Sequence, residues 1–203
     1  TWCYIDNVRV ITNVFSGKTA LTIASHLAQS NIQTTLILAD IRCDLKPFKN
    51  KQLDIIRAYS YQDFYKAVKT ALKSGDYSSV IHAAAVSDYY IKKPVPGKIA
   101  SGKNTLTLRL HRTKKIVKKI KKWAPDIRMI MFKLEVNESH QKLVRTSLKK
   151  MKESKADLVV ANTFPTQGKR LFTCIRSKDK ATAIKGRKAL ADYLYNSLKE
   201  PLS

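Results

Sequence analysis

Apolar positions along the chain follow two rhythms that alternate. From Lys18 to Ser30 the residues Leu21, Ala24, Leu27 and Ala28 fall on one face of a 3.6-residue period, which predicts a helix opened by the turn at Ser16-Gly17. Arg9 to Thr12, ahead of that turn, reads as the end of a strand. Thr34 to Ala39 is a threonine and aliphatic run of the kind that suits a strand covered on both faces. Asp40 to Lys51, around Pro47, reads as a loop. Leu53 to Tyr59 is then a strand, Gln62 to Lys73 a helix stopped by Gly75-Asp76, and Ser79 to Ala85 a strand ending in polar sequence. The second half repeats the pattern. Thr105 to Leu110, Arg128 to Lys133, Asp157 to Ala161 and Arg170 to Ile175 read as strands, and Lys114 to Trp123, Ser139 to Lys152 and Ala183 to Leu198 as helices.

Strands and helices that alternate at crossover spacing predict an α/β fold, a Rossmann-like and mostly parallel sheet with helices on both faces. With 203 residues and 44% apolar content, residues 1–203 are expected to form a single α/β domain whose core needs no metal or disulfide staple. The Gly-, Lys- and Pro-rich stretch at residues 92–104, centred on Pro94 to Asn104, is expected to be a mobile flap.

Charge changes this picture more than composition does. The net charge of +24 favours anionic partners: nucleic acid, acidic membrane or phosphorylated small molecules. Its densest run, Arg112 to Lys122, carries Ile116, Val117, Ile120 and Trp123 at helical spacing, so it reads first as a helix with a core face and a solvated basic face. Lys142 to Lys155 reads the same way through Leu143, Leu148 and Met151. Nucleic-acid binding by these two stretches is the lesser reading. Cys3, Cys43 and Cys174 make no C-x-x-C pair, and His26, His82, His111 and His140 make no ligand pattern, so no metal site is assigned. His82 is expected to be a strand histidine. No signal-like start and no run of about 18 apolar residues is visible, and a soluble cytoplasmic protein with no membrane partner is expected.

Ligands of open α/β sheets bind beyond the carboxyl ends of the strands, which directs attention to the loops after Thr12, Ala85, Lys133 and Ala161. Asn13 to Thr19 is a turn opening a helix, suited to a phosphate or simply to a turn; the glycine that a P-loop needs ahead of Gly17-Lys18-Thr19 is absent. Asp88, just past a strand, is either a cap or an acceptor for a ribose, a base or an amine. Lys98, between Gly97 and Gly102, sits where a closing loop would carry a cation onto phosphate, or is a plain surface lysine.

Together these segments narrow the choice. Ile5–Asn7, VRVITNVFSGKT (Val8–Thr19), HAAAVSDYY (His82–Tyr90), GKIASGK (Gly97–Lys103), WAPDIRMIMFKLE (Trp123–Glu135) and KADLVVANT (Lys155–Thr163) occur in an order that resembles the phosphopantothenoylcysteine synthetase family of coenzyme A biosynthesis. The resemblance covers most of the chain to about Thr163. It implies a phosphopantothenate–cysteine ligase that activates 4′-phosphopantothenate with CTP or ATP as an acyl-nucleotidylate, with Mg²⁺ on the triphosphate, and then joins it to cysteine, as a homodimer.

By the same resemblance, Asn13 would act at the reacting carbonyl and Arg9 would reach the phosphopantothenate of a neighbouring subunit. Ala84, Ala85 and Asp88 would hold the pantothenate arm. Lys98 would stabilise charge as pyrophosphate leaves. Phe132 and Asn162 would lie at the nucleotide, with Ser16 and Gly17 at its phosphates. Family members carry a strand ending in two glycines just before the position of Thr1, so a first strand is expected ahead of this sequence. Phe15 and Ala20 stand where the family turn has a small polar residue and a glycine. They motivate an alternative, a non-catalytic relative that binds a nucleotide or a phosphopantetheine-like anion.

Overall fold

The computed structural model describes residues 1–39, 45, 48–102, 104–164 and 171–201. Most of the loop read at Asp40–Lys51, with Cys43, and also Lys103 and Arg170, lie outside the described residues.

The N-terminal residues form a small antiparallel pair, β1 (Cys3–Tyr4) and β2 (Val10–Ile11). α1 (Lys18–Gln29) follows Gly17, whose φ of 72° lies in the left-handed region that glycine adopts without a Cβ penalty. α1 buries Leu21, Ala24, Leu27 and Ala28, the four positions the periodicity places on one face, together with Ile23 and Ser25. β3 (Thr34–Leu38) and β4 (Leu53–Arg57) pair in parallel. α2 (Tyr61–Ser74) starts at a capping box: the Asp63 amide donates to Ser60 Oγ at 3.1 Å, and the Ser60 amide donates to Asp63 Oδ2 at 3.2 Å. It ends at Gly75, with φ 82°. β5 (Ser79–His82) leads into irregular chain, and β6 (Tyr89–Tyr90) pairs with β7 (His111–Arg112). A 3₁₀ turn at Ile116–Lys118 precedes α3 (Ile120–Trp123). β8 (Arg128–Val136), α4 (His140–Ser154), β9 (Leu158–Phe164), β10 (Leu171–Ser177), β11 (Lys180–Lys185) and α5 (Arg187–Lys199) complete the chain.

The main sheet has the order β11-β10-β9-β8-β5. Its β5, β8 and β9 are parallel, as the alternation predicts, while β10 and β11 are antiparallel additions. One face carries α2, α3 and α4, with Phe64, Val68, Ile120 and Leu143 packed on Met129, Met131 and Val159. The other carries α1 and α5, with Leu27, Leu190 and Leu194 on Ile130, Val160 and Phe172. Truncating a fully buried leucine such as Leu194 in such a layer costs about 2–5 kcal/mol, enough to unfold a marginal domain.

Three expectations are corrected. Thr105 to Leu110 belongs to no sheet among the described residues: the alternation of TLTLRL is that of a strand, yet no strand is formed, and Leu106 and Leu110 are exposed. Lys114 to Trp123 is a 3₁₀ turn followed by a four-residue helix. Lysines three and four apart repel along a helix, and Pro125 stops propagation. Finally, Ala183 to Leu198 is two elements, because Lys180–Lys185 turns back on β10 as a hairpin before α5 begins at Gly186. The basic faces are solvated, as the charge pattern predicts. Lys142, Arg145, Lys149 and Lys152 of α4 are exposed, and Lys142 meets Glu138 at 2.6 Å.

The β3–β4 pair is not hydrogen-bonded to the main sheet. The edges of β3 and β5 line a cavity of about 830 Å³, roofed by Ile23 and Leu27 on one side and Phe64, Val68 and Leu72 on the other. His82 lines it too, and burial holds its imidazole down at about pKa 4. The unfolded chain takes up that proton near pH 6.5, so this contribution to stability is complete above that pH and is lost progressively toward pH 4. Thermal unfolding from pH 7 to 4 should show a stability loss of up to about 3 kcal/mol that His82→Gln removes. An identical pH profile in the variant would assign the loss elsewhere.

Candidate active site

The carboxyl ends of the strands and the start of α1 meet at one mouth of this cavity. α1 begins without a side-chain cap and without an acidic residue in its first turn, so its leading N–H groups face the turn at Ser16-Gly17 unclaimed by a side chain. Ser16, Gly17, Lys18 and Thr19 all line the cavity. Asn13 is fixed across it, its Nδ2 donating to the Ala85 carbonyl oxygen at 2.8 Å. Ala84 and Ala85 lie on the irregular segment after β5, and Phe132 and Asn162 come from the neighbouring strands β8 and β9. Asn162 is buried at 8% exposure and stands in register with Leu134.

The structure therefore gathers Asn13, Ser16, Gly17, Ala84, Ala85, Asp88, Phe132 and Asn162 along one cavity lining. Asp88 forms an ion pair with Lys115, and its backbone carbonyl accepts from the Thr113 amide at 2.9 Å. Arg9 and Lys98 are not part of this lining. Lys98 is exposed on the 92–104 segment, which is tied to the N-terminal pair: Val95 N–H donates to the Ile5 carbonyl at 3.0 Å, and Asn7 N–H to the Gly97 carbonyl at 3.0 Å. Arg9 Nη1 donates to Asp6 Oδ2 at 2.9 Å and to the Ile99 carbonyl at 3.2 Å.

Three residues of this region escaped the sequence reading. Arg187 opens α5 and also lines the cavity, its Nε donating to Thr19 Oγ1 at 3.1 Å, which brings a guanidinium to the start of α1. The assignment of Ala183–Leu198 as one helix hid it; the signal was the glycine before it. Lys115 was submerged in a lysine run. Asp6 stood out only as part of a sequence block. Phe15, which stands where the family turn has a small polar residue, packs edge-on against Phe164 with ring centroids 5.9 Å apart.

Among the described residues, no three His, Cys, Asp or Glu side chains cluster as a metal cage. Cys3 and Cys174 are buried; desolvation raises both thiols, Cys174 to about 12, so neither is set up as a nucleophile.

A parallel-sheet α/β fold with a helix N-terminus and polar side chains gathered at the strand ends defines a ligand-binding domain of the Rossmann-like class. The chain belongs to the family described as the DNA/pantothenate metabolism flavoprotein C-terminal domain, whose family model matches residues 1–199. It is 33% identical over 165 residues to the coenzyme A biosynthesis bifunctional protein CoaBC of Thermococcus kodakarensis, covering 81% of this chain and 40% of that protein. The chain thus spans well under half the length of that relative. The DNA/pantothenate metabolism flavoprotein of Streptococcus pneumoniae superposes with a TM-score of 0.85 at 24% identity, over 98% of this chain and 94% of that one. A Cab2 mutant in complex with phosphopantothenate-cysteine superposes with a TM-score of 0.76 at 14% identity, over 97% of this chain and 84% of that one. Among the described residues, no helix is long and apolar enough to cross a membrane.

Proposed function

We propose that the chain is a phosphopantothenate–cysteine ligase domain that works in the cytoplasm. The observation that carries this reading is the convergence of Asn13, the first turn of α1, Ala84-Ala85 and Asn162 on one cavity at the carboxyl ends of the strands. The family membership and the likeness to CoaBC support the same reading.

Two bond exchanges make up the reaction. A carboxylate oxygen of 4′-phosphopantothenate attacks the α-phosphorus of CTP or ATP; a P–O bond forms and pyrophosphate leaves. The amine of cysteine then attacks the acyl carbon, the C–O bond to the nucleotide breaks, and the nucleoside monophosphate departs as the amide forms. Ser16, Gly17 and the first N–H groups of α1 take the phosphates, with Arg187 beside them. Ala84, Ala85 and Asp88 hold the pantothenate arm, while Phe132 and Asn162 meet the nucleotide. Asn13 sits at the reacting carbonyl, and Lys98 closes from the 92–104 flap onto the leaving pyrophosphate. Mg²⁺ neutralises triphosphate charge when bound.

A second copy of the chain completes the proposed assembly. Val8, Ile11, Tyr89, Val95, Leu106 and Leu110 are exposed apolar residues on the arm built from β1, β2, β6, β7 and the chain that joins them, a surface suited to burial against another subunit. Arg9, on the same arm, would reach the neighbour's phosphopantothenate.

The test is pyrophosphate release with 4′-phosphopantothenate, Mg²⁺ and CTP or ATP, with and without cysteine. Release that requires phosphopantothenate, and a product that requires cysteine, is expected. Binding of nucleotide with no release from either would favour the non-catalytic relative.

A further inference from the structure

Asp6 is a carboxylate among the most deeply buried side chains of the molecule, at 1% exposure, and does not line the cavity. Burial of this kind is expensive unless every lone pair is used. Here they are. Oδ1 accepts from the Val8 amide at 2.9 Å and the Arg9 amide at 2.8 Å, which closes the turn between β1 and β2. Oδ2 accepts from Arg9 Nη1 at 2.9 Å and, across 93 residues of sequence, from the Ile99 amide at 3.0 Å. Arg9 Nη1 also reaches the Ile99 carbonyl, so Asp6 and Arg9 together grip both polar groups of one flap residue. Asn7 holds the Gly97 carbonyl from the other side. Lys98 is therefore the one residue between two clamped neighbours, with its own side chain exposed.

From this geometry we infer that Asp6 is a positioning residue for the reaction: it anchors the base of the flap so that Lys98 is presented in one orientation, and it does so without touching substrate. The inference rests on the role proposed for Lys98. Hydrogen bonds from backbone amides, the Ile99 amide foremost, hold the Asp6 carboxyl below the usual carboxylate range, so the anchor is fully charged at neutral pH and weakens only in acid. A lysine on an unanchored glycine-flanked loop would spend most of its time elsewhere, and preorganisation of a charge is what gives it catalytic value.

Asp6→Asn keeps the size and removes the charge and one acceptor. Because that variant could fold poorly, Ile99→Pro provides a second route: it deletes the donated N–H from the flap side and leaves the carboxylate intact. In either variant the amides of Gly97 and Lys98 should exchange with deuterium at least tenfold faster, and kcat for pyrophosphate release should fall about 10- to 100-fold; in Ile99→Pro, which leaves the Asp6–Arg9 pair in place, KM for 4′-phosphopantothenate should change less than threefold. Combined with Lys98→Gln, Ile99→Pro should add no more than a twofold further loss, since it acts through that lysine. Unchanged exchange at Gly97 and Lys98 in both variants overturns the anchoring; faster exchange there with full kcat overturns the catalytic consequence. If Lys98→Gln alone retained full activity, the role of Lys98 would fail while the exchange result still decided the anchor.

Discussion

Lys98→Gln should lower phosphopantothenate-dependent pyrophosphate release by about 10²- to 10³-fold, the range typical of removing one preorganised group from developing transition-state charge. Glutamine keeps much of the length and loses the positive charge. The side chain is exposed and the backbone around it is held by Asp6 and Asn7, so the fold should be indifferent, with stability changed by less than about 0.5 kcal/mol. Single-turnover measurement separates the two steps. The loss is expected in formation of the acyl-nucleotidylate and not in capture of that intermediate by cysteine. Full activity in Lys98→Gln would remove the residue from the mechanism.

Asn13→Asp is expected to be about as damaging, by a different route. Asn13 donates from Nδ2 to the Ala85 carbonyl oxygen, a bond that spans from the turn before α1 to the chain after β5. An aspartate has the same shape but no N–H, so it would set two acceptors against each other and add negative charge where the two proposed anionic substrates would meet. Because the bond is exposed, its loss should cost the fold no more than about 1 kcal/mol. Turnover should fall by about 10²-fold or more, with nucleotide binding weakened less than catalysis. Asn13→Ala removes the donor without adding charge, and comparing the two variants divides the loss between positioning and repulsion. Equal activity in wild type and both variants would exclude Asn13 from the reacting centre.

Much of this architecture can be read from apolar rhythm, because the parallel strands and α1, α2 and α4 bury their faces against both sides of one sheet. All four periodic residues of α1 are buried, with Ile23 and Ser25 beside them. Rhythm fails where an element depends on a partner that sequence does not name. TLTLRL alternates like a strand but joins no sheet among the described residues, and Ala183–Lys185 reads as the start of a helix although its backbone pairs with β10. The candidate site divides in the same way. Asn13, Gly17, Ala85 and Asn162 are visible as loop residues after strands, and they do share a cavity. Arg187 and Lys115 reach it only through tertiary packing, and the tie from Asp6 to Ile99 joins residues 93 positions apart. Neither periodicity nor spacing carries information about such contacts.

The two borders of the main sheet are unlike each other. β11 is exposed and begins and ends in lysine, Lys180 and Lys185, charges that discourage a strand from another molecule from adding there. β5, at the other border, carries Val80 and Ile81 and lines the slot beside β3. Colloidal behaviour should follow on the β11 side: in concentrated refolding foreign extended segments should not add along β11, and replacing Lys180 and Lys185 by apolar residues should lower solubility more than the same change on the already basic helices.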